Sequence, residues 1–418
     1  MANKEALALN GGTPAVKSLP VRGHFGAEEK AAANRVMDEA IAKGVAPGYG
    51  GPEEDALGRE FSELLGGGYA DGVNSGTTSV FVALRAMEPE PYSEVIVGPI
   101  TDPGGMMPIV MANCIPVVAD SEPDTFNISL EGIKKVVTDR TAAIIVAHIA
   151  GEPADMEAIC AFAKERGIKV IEDCAQAHGA AINGKPVGTF GDVAGFSMMF
   201  GKHTCTGGQG GLVFTKDEDT YWKVRQNSDR GKPFGLPAGS TNCSASLNFN
   251  LDEMGAAIGR VQIQKMFPIA KARREIIAKL SAAIADIPCL RPTPILEGAE
   301  PSYWFFRILF DGADMTCTKE EFCKALEAEG IYANPRYAAT VYEYDWYLNR
   351  KVFGSTSLPW SAPEYKGDAS KIYSLEDLPN VKKALEDTLI IYPVETWTDE
   401  TIAQVSEAFH KVYEAYKK

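Results

Sequence analysis

Three features of this sequence could do chemistry together: a lysine, an aspartate and a hydroxyl-rich helix start. Lys202 lies in Gly195-Phe196-Ser197-Met198-Met199-Phe200-Gly201-Lys202-His203, where an apolar strand delivers one amine into a glycine-flanked loop. Burial lowers a lysine pKa and makes its amine a nucleophile toward carbonyls, whereas a strand-end lysine is more often a solvated surface group. Asp173 stands 29 residues earlier, in Lys169-Val170-Ile171-Glu172-Asp173-Cys174-Ala175-Gln176-Ala177-His178-Gly179, where a short apolar strand ends in two carboxylates. Ligands of open α/β sheets bind beyond the carboxyl ends of the strands, although a carboxylate there can equally cap the next helix. Asn74-Ser75-Gly76-Thr77-Thr78-Ser79 opens the helical run Val80 to Met87. Backbone N–H groups, the helix dipole and the hydroxyls converge there on one spot. That makes an anion cradle, or plain capping chemistry. After Lys202 comes Thr204-Cys205-Thr206-Gly207-Gly208-Gln209-Gly210-Gly211, whose glycines let backbone pass close to a ligand or to the lysine loop.

Each feature alone is weak, but the conjunction is specific. A phosphate wants a helix N-terminus, a pyridine nitrogen wants a carboxylate that keeps it protonated, and an aldehyde wants an amine. Together they describe the needs of pyridoxal 5′-phosphate.

The elements that must position these residues follow from periodicity. Val95-Ile96-Val97, Pro116-Val117-Val118, Ala143-Ile144-Ile145-Val146 and Val170-Ile171 are short apolar runs separated by helical patterns such as Met156 to Arg166. Strands of that kind belong to a parallel sheet covered on both faces, so residues 70–215 read as an α/β layered domain. Helices are expected over Ala27–Ala42 and Glu53–Leu65, and one long helical stretch from Asp252 to about Ile287 that bridges two domains. Beyond Arg291-Pro292-Thr293-Pro294 come a strand over Tyr303–Phe310, a helix over Lys319–Glu329 and a last helix over Asp399–Tyr416 with Thr398 as N-cap. The domain expectation is an N-terminal arm over 1–22, a large cofactor-binding domain over 23–265, and a long helix with a small C-terminal α+β domain over 266–418.

Composition excludes other classes. The chain has 418 residues, 45% apolar and 23% charged, which suits a globular protein with a large core. Its net charge of −15 argues against nucleic acid or an anionic membrane as partner, because both need a basic footprint. None of the 8 cysteines forms a Cys-x-x-Cys pair, so zinc-ribbon and thioredoxin readings fail and no metal is expected. Free thiols, the lack of an apolar core in the first residues and the lack of a spanning apolar run point to a cytoplasmic protein. Gly66-Gly67-Gly68 lacks the Gly-x-Gly-x-x-Gly spacing and does not follow a buried strand, so a nicotinamide site is not supported.

The order and wording of these segments resemble the DegT/DnrJ/EryC1/StrS family of pyridoxal-phosphate-dependent sugar and cyclitol aminotransferases. The resemblance runs from Leu7-Ala8-Leu9-Asn10-Gly11-Gly12-Thr13-Pro14 to the end of the chain and is densest between Asn74 and Met254. Thr138-Asp139-Arg140-Thr141, His148 through Met156, and Val187-Gly188-Thr189-Phe190-Gly191-Asp192 carry it further. It implies fold type I of the aminotransferases: an α/β large domain with a mostly parallel seven-stranded sheet between helices, plus a smaller C-terminal α+β domain.

The resemblance also implies roles. Lys202 would hold the cofactor as a Schiff base and shuttle protons, and Asp173 would pair with the ring nitrogen. Gln176 would hydrogen-bond the ring oxygen. Gly76, Thr77 and Thr78 would hold the phosphate, with Ser197 adding a hydroxyl. Asn248, with Asn250 in reserve, would reach the neighbouring subunit's phosphate, which implies a homodimer with shared sites. The reaction implied is ping-pong transfer of an amino group from glutamate or glutamine to a ketosugar or ketocyclitol.

Two departures stand out. Asp102, in Ile100-Thr101-Asp102-Pro103-Gly104-Gly105, falls where relatives place an aromatic that stacks on the ring. Either another group covers the ring, or the loop sits differently and Asp102 meets the amino donor or a substrate hydroxyl; a turn carboxylate is the plainer alternative. Gln209 stands where an acid is common. His203 could tune Lys202, touch substrate or simply pack. Arg336 and Tyr337 would approach the substrate from the small domain, and Arg225, Arg230 and Lys232 could meet an anion or be solvated charges. A sugar dehydratase of the same fold carries His in place of the Schiff-base lysine, so Lys202 argues against it while His203 keeps it open. A non-catalytic sugar- or cofactor-binding regulator is the remaining alternative.

Overall fold

The computed structural model describes residues 4–337 and 340–418. Its large sheet is built from β1 (Tyr69–Val73), β2 (Glu94–Val97), β3 (Ile115–Val118), β4 (Thr141–Ala147) and β5 (Lys169–Asp173). A short hairpin, β6 (Ala181–Ile182) and β7 (Lys185–Pro186), leaves the sheet before β8 (Val193–Ser197) and β9 (Gly211–Thr215) return to it. The seven strands lie in the order β1-β9-β8-β5-β4-β2-β3, and only β9 runs against the others. β2, β3, β8 and β9 are buried along their whole length, as mostly apolar strands covered on both faces must be. Parallel direction brings the carboxyl ends of β1, β4, β5 and β8 to one edge. That edge therefore receives Asn74, His148, Asp173 and the loop leading to Lys202.

Four helices matter for the site and its frame: α1 (Ala27–Lys43), α2 (Pro52–Leu64), α3 (Gly76–Ala86) and α4 (Pro103–Met111). α3 follows β1 after two residues and packs on β8, while α4 packs on α3. The continuous helix expected from Asp252 to about Ile287 is two helices, Glu253–Ile263 and Met266–Ala283. Pro268 explains the break. It has no N–H, and its ring would meet the carbonyl of residue 264 in an unbroken helix, so it is accommodated only in the first turn of a new one.

The small domain pairs β10 (Leu290–Pro292), β12 (Phe306–Phe310), β13 (Ala333–Asn334) and β14 (Thr388–Ile391) in the order β10-β12-β14-β13. β11 (Ala299–Glu300) pairs instead with β6 of the large domain. The strand expected over Tyr303–Phe310 begins only at Phe306, because Tyr303 sits at a φ of 49° outside the β region. The last helix spans Asp399–Tyr416, and Thr398 caps it by accepting the Thr401 N–H at 3.2 Å.

Two segments cross the expected domain division. Leu7 and Val16 of the N-terminal arm are buried in the small-domain core, with the Glu329 carboxylate accepting the N–H groups of Ala8 and Ala15. Val341, Tyr342, Tyr347 and Trp360 pack into the large-domain core, and the Asp120 carboxylate caps the Pro379–Asp387 helix by accepting N–H from Asn380 and Val381.

Candidate active site

The carboxyl edge of the large sheet opens on a cavity of about 240 Å³. Lys202, Asp173, Gly76, Thr77, Gln176, Ser197 and Asp102 all line it. The sequence reading thus scattered these residues over more than a hundred positions, and the topology gathers them.

Lys202 follows β8 in a tight turn closed by its own N–H donating to the Met199 carbonyl at 2.9 Å. Its side chain is only 8% exposed, and Nζ stands 4.5 Å from the centre of the Trp304 ring. Burial pulls its pKa below the ordinary lysine range, partly opposed by Asp173 and Asp102. Asp173 is likewise buried, and burial pushes its pKa up; the Ala175 N–H, donated to Oδ1 at 3.0 Å, and Lys202 act the other way, while Asp102 adds to the rise. An amine with a lowered pKa and a carboxyl with a raised one, facing a shared cavity, are a poised acid–base set.

The helix start forms the opposite wall. Ser75 is the N-cap of α3 and accepts the Thr78 N–H at 3.1 Å. The N–H groups of Gly76 and Thr77 have no intrahelical carbonyl to reach and belong to residues that line the cavity. Gly76 is demanded by close approach: a Cβ there would stand 2.6 Å from Ser197 Oγ. Gly105 plays the same part on α4, where a Cβ would overlap Thr101 Oγ1 and stand 3.1 Å from Asp173 Oδ2.

Thr78 is a correction to the sequence reading. Its hydroxyl donates to Asn74 Oδ1 at 2.6 Å and contacts Ser75 Oγ, and its N–H is spent on the cap, so it locks the helix start instead of lining the cavity. Ser75 lines the cavity in its place.

Gln176 accepts the Ala150 N–H at 2.9 Å and donates one amide hydrogen to Tyr337 Oη at 2.9 Å, which leaves its second hydrogen for a ligand. Tyr337 is thereby linked to a residue of the cavity wall. Arg336 is not: it is half-exposed and paired with Glu343.

Asp102 caps α4, accepting the Gly104 N–H at 2.9 Å through Oδ1, and lines the cavity mouth. Among the described residues no Phe, Tyr or Trp side chain lines the cavity, and the aromatic ring in its lining is the imidazole of His148. α4 itself, entered through Pro103-Gly104-Gly105, occupies the side where an aromatic was expected, because two side-chain-free residues let its first turn lie against Thr77 and Asp173.

His203 is packed. Its Nε2 donates to the Ser302 carbonyl at 3.0 Å, its ring lies parallel to His178, and burial holds its pKa well below the usual range. It does not line the cavity. Arg225, offered as a cleft residue or a solvated charge, does not line this cavity: it is partly exposed and paired with Asp71 at 3.0 Å. Arg230 and Lys232 both pair with Asp229. Asn248 is exposed, outside this cavity, and accepts from Asn250 Nδ2 at 2.7 Å. Ala338 and Ala339, next to Tyr337 in the chain, lie outside the described residues.

Sequence reasoning passed over His148 as a site residue. It follows β4, lines the cavity and is fully buried. Its Nδ1 accepts the Ala154 N–H at 3.1 Å, so its proton sits on Nε2 and is donated to Glu172 Oε2 at 3.2 Å. The strand-end rule that singled out Asp173 would have found it.

This geometry can be set beside known proteins. Residues 27–409 match the DegT/DnrJ/EryC1/StrS aminotransferase family. The chain belongs to this family. It is 31% identical over 303 residues to GDP-perosamine synthase of Vibrio cholerae, covering 72% of this chain and 81% of that one. Over 283 residues it is 34% identical to the UDP-N-acetyl-3-dehydro-alpha-D-glucosamine 3-aminotransferase of Acidithiobacillus ferrooxidans, covering 67% and 73%. Among solved structures, the aminotransferase from Psychrobacter cryohalolentis superimposes with a TM-score of 0.79 at 27% identity, over 93% of this chain and 97% of that one. A 3-amino-5-hydroxybenzoic acid synthase shares the fold with a TM-score of 0.80 at 24% identity, over 96% and 99%.

The protein is therefore an aminotransferase of fold type I that uses pyridoxal phosphate. The cavity fits that cofactor: a glycine-tight helix start for the phosphate, a buried carboxyl for the ring nitrogen and a buried amine for the aldehyde. Among the described residues no helix is long and apolar enough to cross a membrane.

Proposed function

We propose that the chain transfers an amino group from glutamate or glutamine to a ketosugar or ketocyclitol in the cytoplasm, as a homodimer with shared sites. The observation that carries this is the convergence of Lys202, Asp173 and the α3 start on one cavity. Pyridoxal phosphate, when bound, supplies the electron sink for cleaving a bond beside the amino nitrogen. The chain's residues do the rest. Gly76 and Thr77 N–H groups, with the hydroxyls of Ser75, Thr77 and Ser197, bind the phosphate. Asp173 holds its negative charge against a protonated ring nitrogen, which supplies the counter-charge its burial lacks. Lys202, whose pKa burial lowers from the ordinary lysine range, gives up and retakes a proton at Nζ.

Asp102 bears on the acceptor. Its carboxylate at the cavity mouth suits the hydroxyls of a polyol, and the relatives that act on nucleotide sugars support a sugar-like acceptor. The dimer reading is supported by Asn248, exposed and outside its own chain's cavity. A half-reaction screen tests the function. The protein is loaded with pyridoxamine phosphate and mixed with ketosugars and ketocyclitols, and return of the visible cofactor absorption identifies the acceptor. No response to any of them, with a response to simple 2-oxo acids, would overturn the assignment.

A further inference from the structure

Lys202 is held by more than its own strand. Arg22, at the end of the N-terminal arm, lies against the lysine turn from outside the cavity. Its Nη1 donates to the carbonyls of Lys202 at 2.7 Å and Gly201 at 3.2 Å, and its Nη2 donates to the His203 carbonyl at 3.0 Å. Three consecutive carbonyls thus converge on one guanidinium, whose fork geometry allows what a lysine ammonium could not reproduce. The fourth contact fixes the guanidinium itself: Nε donates to Glu395 Oε1 at 2.8 Å. Glu395 also pairs with Arg273 at 2.8 Å, and Arg273, 2% exposed, donates to the Tyr303 carbonyl. The neighbouring Ser302 carbonyl accepts from His203.

The lysine turn has side-chain restraints as well: His203 Nε2 donates to the Ser302 carbonyl, Thr204 Oγ1 meets His178 Nδ1 and the Gly201 N–H meets Met199 Sδ. Its N–H groups close local bonds, Lys202 to Met199 and Phe200 to Gly208. Among the described residues, the donors that meet the carbonyls of residues 201–203 all belong to the Arg22 guanidinium.

We propose that Arg22 is a positioning residue for Lys202: by gathering the carbonyls of Gly201, Lys202 and His203 and anchoring to Glu395, the N-terminal arm sets the turn that aims the amine into the cavity. It makes the arm part of the catalytic frame and ties the lysine turn to the small domain. The inference rests on Lys202 being the reactive amine, which Lys202→Ala tests separately through loss of amino transfer.

The experiment compares wild type, Arg22→Lys, Arg22→Ala and Leu7→Ala. Leu7 anchors the same arm in the small-domain core but touches none of the lysine turn. Lys202 is probed in the cofactor-free chain by trace acetic anhydride labelling across pH with peptide mass spectrometry, and the loaded enzyme by the pH midpoint of its visible absorption and by steady-state kinetics. In Arg22→Ala the Lys202 labelling midpoint is expected to rise toward that of ordinary lysines, and kcat to fall about 10- to 100-fold, the scale of an ångström-level misplacement. The donor KM should stay within about twofold. Arg22→Lys should lie between, because it keeps the charge and loses the fork. Leu7→Ala should lower the melting temperature and leave the labelling midpoint unchanged. An unchanged midpoint and kcat in Arg22→Lys and Arg22→Ala would overturn the proposal, and so would the same midpoint shift in Leu7→Ala. Should Arg22→Ala not fold, the Arg22→Lys midpoint decides.

Discussion

Glu172 and Asp173 are neighbours at the end of one strand, and they lead opposite lives. Strand alternation points them to opposite faces of the sheet. Glu172 is fully buried, and its two oxygens accept N–H groups from Gly188, Phe190 and Gly191, each at 2.7 Å, together with the His148 contact. It stitches the Val187–Asp192 loop to the sheet. Among the described residues, the Asp173 carboxylate accepts one N–H, from Ala175, and it lines the cavity. The structure satisfies one carboxylate completely and leaves the other short of partners. A buried charge without full satisfaction is costly, and it persists here at a position that a cationic ligand would complete.

Breaking each carboxylate should therefore produce opposite kinds of failure. The largest effect belongs to the cavity side. Asp173→Asn should lower the amino-transfer rate by about 10³-fold or more, the scale of removing a preorganised charge from an active site, while the circular dichroism spectrum stays native. Glu172→Gln should do the reverse: a loss of about 2–4 kcal/mol in urea unfolding, because an amide cannot accept all four donors, with kcat per folded molecule within a few-fold of wild type. Equal catalytic losses in the two variants would dissolve the distinction.

The pH dependence sharpens the same contrast. Burial raises the Asp173 pKa above its unfolded value. The unfolded chain then releases this proton more readily than the folded chain. Stability therefore falls as pH rises from the unfolded carboxyl value toward the folded one. The cofactor-free Asp173→Asn protein should melt at a higher temperature than wild type at neutral pH. The gain should fade as pH drops toward about 4, the ordinary carboxyl range. Saturating cofactor should shrink the gain, because the counter-charge then favours the carboxylate. A melting difference that is flat from pH 4 to 8 would contradict the assignment.

What the sequence made legible follows from these residues too. Asp173, Lys202 and the α3 start were readable because strand ends, glycine-flanked loops and hydroxyl-rich helix starts have local signatures. The layered fold, a sheet between helices, was readable because short apolar runs separated by helical periods have few other solutions. What escaped depends on contacts remote in the chain. Nothing local in Val21-Arg22-Gly23 announces that Arg22 meets residues 201–203. His148 carried a visible motif, but its place in the cavity depends on β4 lying beside β5. The division of labour between Thr77 and Thr78 escaped because adjacent helix-start residues differ by about 100° around the axis, and only the packing of α3 on β8 fixes the rotation.

That last pair gives the smallest and finest test of the contrast between satisfied and unsatisfied groups. Thr77 and Thr78 are the same residue type one position apart, and conversion to valine removes the hydroxyl while keeping the shape. Thr78 spends its hydroxyl on Asn74 and Ser75 inside the fold. Thr78→Val should therefore cost about 1 kcal/mol of stability, the usual worth of such a bond, and leave the cofactor dissociation constant within about twofold. Thr77 lines the cavity. Thr77→Val should weaken cofactor binding by about fivefold, a single hydrogen bond's worth, with little change in melting temperature. Fluorescence titration of the cofactor-free protein with pyridoxal phosphate separates the two. If Thr78→Val proves the weaker binder, the rotation of α3 differs from that described, and the phosphate sits one residue further along the helix start.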